Sequence, residues 1–126
     1  ESPQEEALLA REMRRRCDSV VLCAPRMRTE ILQHLAPRLH PLVLINRPGP
    51  TPSVPSFSVD CHAGITVLAR HLHDLGHRHL VYVAGPEMSV SNADRLRGLD
   101  DFAAGTAGVV IDRVVGGSSV MRRPRR

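Results

Sequence analysis

The histidines at 71, 73, 77 and 79, in the stretch HLHDLGHRH, are the side chains of this sequence readiest for chemistry. Imidazole binds metals and moves protons near neutral pH. A metal site needs ligands that converge on one point. Residues 71 and 73 are two apart and fall on different helix faces, and Gly76 separates them from 77 and 79. The stretch therefore reads as a helix end turning into a strand, where His is favoured beside the negative helix terminus. No metal site is expected. The cysteines at 17, 23 and 61 are odd in number and lack CxxC spacing, which indicates neither a disulfide framework nor zinc and fits a reducing, cytoplasmic setting. Cys23 has no evident basic partner to activate it. Neither Gly-x-x-x-x-Gly-Lys-Ser/Thr nor Gly-x-Gly-x-x-Gly occurs. No catalytic residue and no cofactor is assigned, and an enzyme is not expected.

A different chemistry is offered by Arg26, Asn46, Arg47, Ser89, Ser91, Asn92 and Arg95. These are neutral hydrogen-bonding groups and guanidinium forks, suited to hydroxyls, carboxylates or phosphates. The elements around them say how they would be placed. Residues 4–17 read as a helix with Leu9, Met13 and Cys17 on one stripe, and Glu5 and Glu6 near its start. Ser19 to Cys23 and Leu42 to Ile45 are continuous apolar runs, read as strands buried on both faces. Between them Thr29 to Leu35 forms a short helix bounded by Pro37. Pro48, Pro50, Pro52 and Pro55 make 48–55 a surface loop, and Ser56 to Val59 a short strand. Asp60 is a good N-cap for a helix with Ile65, Leu68, Leu72 and Leu75 at helical spacing, stopped by Gly76. Leu80 to Ala84 is the next strand. After the polar residues up to Asn92 comes a helix with Leu96, Leu99, Phe102 and Ala103 on one face, and Val109 to Val115 is expected to be a last strand.

Helices alternating with apolar strands call for an α/β fold, a parallel sheet flanked by helices. In such sheets ligands bind outside the carboxyl ends of the strands. The loops there are Ala24 to Arg28, Asn46 to Gly49 and Gly85 to Asn92, the segments that carry the polar set, with Arg95 one turn further on.

Composition narrows the field. The chain has 126 residues, 42% of them hydrophobic and 24% charged, an ordinary globular balance. Its net charge of +4 rests on seventeen basic residues, all of them arginine. Arg14 to Arg16 cluster in the first helix and Arg122, Arg123, Arg125 and Arg126 in the tail, without the interleaved aromatics of a nucleic-acid footprint, so a solvated face and a disordered tail are expected. No apolar run approaches the ~18 residues of a membrane span. The charged start, Glu1 to Glu6, is no signal peptide.

From about Asp18 to Phe102 the sequence resembles the effector-binding domain of the LacI/GalR family of transcription regulators. The resemblance is carried by the helix start from Val59-Asp60 to Gly64, by Leu75-Gly76-His77-Arg78, by Val83-Ala84-Gly85-Pro86 and by Arg95-Leu96-Arg97-Gly98, in that order. It implies a partial N-terminal subdomain of a periplasmic-binding-protein-like (type I) domain that binds a sugar-like small effector, within a homodimer. It also implies operator DNA as a partner, through a helix-turn-helix that this sequence lacks, and no membrane. By position, Arg95 matches the family's effector-gripping arginine, Arg47 matches a position that touches effector in some members, and Ser89, Ser91 and Asn92 fall in the variable specificity loop. Residues 1–108 are then a partial effector-binding subdomain and 109–126 a last strand and disordered basic tail. The chain opens inside what should be the second helix of the sensor domain, and similarity fades after Phe102, before the second subdomain. One wall of a pocket is expected, binding effector weakly when alone. A transporter's solute (sugar) binding protein on the same fold, and a truncated fragment without independent function, are the rival readings.

Overall fold

The aliphatic runs expected to be strands are strands in the computed structural model, which describes residues 3–115. In chain order the elements are α1 (Pro3–Arg14), β1 (Val20–Cys23), α2 (Thr29–Leu39), β2 (Leu42–Ile45), β3 (Ser56–Phe57), α3 (Cys61–Asp74), β4 (His79–Ala84), α4 (Val90–Gly105) and β5 (Val110–Val115). The chain divides into two compact units, Glu1–Val59 and Asp60–Arg126. The reason lies in the packing. Helices α1 and α2 gather on β1–β3, whereas α3 and α4 pack on each other and α4 on β5. The expected tail beyond Val115 lies outside the described residues.

In the first unit β1, β2 and β3 form a parallel sheet in that order, with Val20 opposite Leu42 and Leu44 opposite Ser56. Its core is Val20, Leu42 and Leu44 from the sheet against Ala10 of α1, Met27, and Leu32, Leu35, Ala36 and Leu39 of α2. Helix α2 runs through Pro37 to Leu39, two residues past the expected stop at that proline. Proline there removes one backbone bond, and complete burial of the Leu39 side chain offsets the loss. Helix α1 ends at Arg14, short of 17, and buries Ala10 while Leu9 and Met13 of the expected stripe stay about half exposed. Leu9, Met13 and Cys17 line a groove of about 350 Å³ beside β1.

In the second unit β4 and β5 pair in parallel, His79 opposite Val110 through Ala84 opposite Val115. Ala69 of α3 and Leu99 and Phe102 of α4 form the buried centre, with Leu80, Tyr82 and Ile111 packed against it. The Asp60 carboxylate accepts from the Ala63 amide at 2.8 Å, capping α3. At the other end Gly76, at φ +95°, donates to the His73 carbonyl while His77 donates to that of Leu72, a closing turn that a side chain at 76 would strain. Helix α3 buries Cys61 and Ala69 and leaves Leu68 and Leu75 exposed, a face rotated from the expected one.

Strands buried on both faces were expected; each sheet instead has one well-covered face. Val21 of β1 and Val81 and Val83 of β4 are about 60% exposed or more, while Val20 and Leu44 are buried. An uninterrupted apolar run states that either face tolerates burial, not that both receive it.

Candidate functional site

Each unit presents its own strand-end loops, built differently. In the first unit the residue directly after each of β1 and β2 turns left-handed: Ala24 at φ 47° and Asn46 at φ 53°. Asparagine tolerates this region, alanine pays of the order of 1 kcal/mol for it, and such residues persist where surrounding bonds over-determine them. Those bonds are present. The Ala24 amide donates to the Ile45 carbonyl at 2.7 Å, the Asn46 amide to that of Phe57 at 2.7 Å, and Asn46 Oδ1 accepts from the Val59 amide at 3.3 Å.

Arg47 is buried, 7% exposed, and its guanidinium donates to the Pro25 carbonyl at 2.8 Å and to Thr29 Oγ1 at 3.2 Å. It ties the loop after β1 to the end of β2. From the other side Glu6 Oε2 accepts the consecutive amides of Arg26 at 2.7 Å and Met27 at 3.0 Å. A carboxylate on two backbone donors makes charge-assisted bonds, about twice as strong as neutral ones. Sequence reasoning missed Glu6. It stands 20 residues from Arg26, and no local pattern links a helix glutamate to a loop so distant.

In the second unit the expected variable loop through Asn92 is already helical. Ser89 is the N-cap of α4, its hydroxyl accepting from the Asn92 amide at 3.3 Å, so Ser91 and Asn92 lie in the first turn. Asn92 is 5% exposed and Oδ1 accepts from the Tyr82 hydroxyl at 3.0 Å and the Gly85 amide at 2.9 Å. That carbonyl fixes the turn leaving β4. Tyr82, also missed, carried one signal: it is the only tyrosine in the chain, on a strand whose apolar body needs a partner for its hydroxyl. Arg95 is exposed, and the side chains of Ser91 and Arg95 have no hydrogen-bond partner among the described residues.

Of the six candidates, Asn46, Arg47, Ser89 and Asn92 thus spend polar groups on holding their loops, and Ser91 and Arg95 keep theirs free. Gly98, three residues after Arg95, has a packing role: a Cβ there would lie 2.6 Å from Ile65 Cγ2 and 2.7 Å from the His62 carbonyl oxygen, so α3 and α4 touch at this point. Two of the four histidines in the stretch have structural partners. His79 Nε2 meets Asp112 Oδ2 at 2.7 Å across β4 and β5, and the His73 ring meets Phe102 edge-on at 6.2 Å. Among the described residues no group of three or more His, Cys, Asp and Glu is placed to hold a metal, and no helix is long and apolar enough to cross a membrane.

Neither the protein-family models nor the curated proteins give a match. Solved structures do. A LacI-family transcriptional regulator from Burkholderia phymatum is 33% identical over 91% of this chain and 44% of its own, with a TM-score of 0.72. The trehalose repressor from Escherichia coli is 28% identical over 92% of this chain and 44% of its own, at 0.67. A periplasmic binding protein/LacI transcriptional regulator from Alkaliphilus metalliredigens, complexed with D-xylulofuranose, is 18% identical and shares the fold at a TM-score of 0.75, over 91% of this chain and 41% of its own. The chain spans less than half the length of each. The parallel strands flanked by helices share the α/β fold of that periplasmic-binding-protein-like structure. In sequence and fold together it is similar to part of the LacI-family transcriptional regulators, the family its own residues pointed to.

Proposed function

We propose that this chain is the ligand-sensing part of a LacI/GalR-type regulator, binding a small sugar-like effector without chemistry on it. The observation that carries the reading is the exposed Arg95, without a side-chain partner among the described residues, beside Ser91 on the first turns of the helix that follows a parallel strand. An arginine fork aimed from a strand's carboxyl end is suited to hydroxyl and carboxylate or phosphate oxygens. The other candidates shape the loops of their own unit, Asn46 and Arg47 in the first and Ser89 and Asn92 in the second. In the full-length protein, a cytoplasmic homodimer, effector binding shifts the balance between conformations and reaches operator DNA through a helix-turn-helix outside these residues.

The test is a panel of sugars and sugar phosphates screened against full-length protein by thermal shift, followed by operator release with the effector found. Arg95→Ala weakens effector binding about 30- to 100-fold, as loss of a charge-assisted contact does, and abolishes the response. Unchanged release in that variant removes Arg95 from the site, and no shift with any sugar defeats the effector class.

A further inference from the structure

The arginines of α1 and α2 play no part in that reading. Arg11 and Arg14 of α1, Arg15 just past its end and Arg38 of α2 line one shallow hollow of about 340 Å³, together with Leu39. Arg14 is fixed in place: Nε donates to the His40 carbonyl at 3.0 Å and Nη1 to that of Cys17 at 2.9 Å. Arg15 pairs with Glu12 at 3.3 Å. Arg11 and Arg38 are exposed, with no side-chain partner among the described residues. Four guanidinium groups therefore share one concavity with a single paired carboxylate.

Like charges so gathered repel one another and focus a positive potential that an anion relieves. The negative ends of the two helices offset part of this, yet they engage only Arg14. Planar forks arranged around a hollow match a tetrahedral phosphate, each fork donating two parallel bonds to a pair of its oxygens. The position is informative too. Helix α1 ends just before β1 begins and α2 ends just before β2 begins, so the hollow lies at the amino ends of these strands. The loops after β1 and β2 lie at the opposite ends.

We propose that this hollow is a second, separate binding site that takes phosphate oxyanions, from a free phosphate compound or from the backbone of a nucleic acid.

The experiment uses the whole chain and two double variants. R11Q/R38Q removes the unpartnered guanidinium groups and leaves the bonds of Arg14 intact. R70Q/R113Q removes the same charge from other exposed positions, outside the strand-end loops, and serves as the control. Pyrophosphate is titrated by calorimetry, and a duplex DNA of arbitrary sequence by anisotropy at several salt concentrations. R11Q/R38Q is expected to weaken at least one probe about tenfold, with the control within about twofold of the parent. A loss confined to the duplex, with a salt slope shallower by roughly 0.9 for each phosphate contact removed, assigns the site to nucleic acid. A loss with pyrophosphate assigns it to a discrete phosphate compound. Equal losses in the two double variants, or no binding of either probe by the parent chain, overturn the proposal.

Discussion

The two units hold their strand-end loops by opposite means. In the first, charged side chains reach in from elsewhere: Glu6 takes two loop amides and Arg47 takes a loop carbonyl. In the second, one neutral buried amide, Asn92, serves both a strand hydroxyl and a turn amide, and its helix starts on a serine cap. The cores differ in the same way. The first unit buries a broad aliphatic cluster around Met27, Leu32, Leu35, Leu39 and Leu44; the second centres on Ala69, Leu99 and Phe102 and on the close approach of two helices at Gly98. A wide core tolerates loops pinned by long side chains from a distance. A narrow one depends on a few short contacts with little room to adjust.

If that contrast is right, the second unit breaks first. Gly98→Val forces branched carbon into the Ile65 side chain and the His62 carbonyl and should destabilise the second unit by about 3 kcal/mol. Hydrogen exchange resolved by residue checks this: protection should fall in α3, α4 and β4 and persist in β2. Equal losses throughout would mean the units do not open separately. Asn92→Ala leaves the Tyr82 hydroxyl and Gly85 amide without their acceptor and should cost about 2 kcal/mol. Tyr82→Phe in the same background should then cost little, because the hydroxyl it removes is already unpaired; denaturant melts of the four proteins give the coupling. The smallest effect is expected for Arg47→Met, about 1 kcal/mol, since the methionine stem keeps most of the packing and one buried carbonyl, that of Pro25, loses its donor, against the two donors orphaned by Asn92→Ala. A cost above that of Asn92→Ala would reverse the comparison.

Much of the fold was legible because its signals are local. The cap at Asp60 and the stop at Gly76 act within one turn of their helix, and the strand at Leu42 to Ile45 lies where its aliphatic run placed it. At the strand ends the residue types were legible and the bonds that hold them were not. The rule that ligands meet the carboxyl ends of parallel strands selected Arg95 and Ser91, which are free, and also Arg47 and Asn92, which are buried in their own loops. Residue type alone cannot separate these cases. An arginine or asparagine offers the same donors to a ligand as to a neighbouring backbone.

The amino-acid order on its own settled the alternation of helix and strand, the polar character of the strand ends and the family likeness, all carried by spacing over a few residues. Which side chains at those ends remain available was decided in three dimensions. Glu6 meets the loop amides across 20 residues, Arg47 meets Pro25 across 22, and Thr66 meets the Gly98 carbonyl across 32. Such bonds depend on where packed elements bring the chain back to itself, and apolar burial, which is non-directional, drives that return without marking it in any short stretch of sequence.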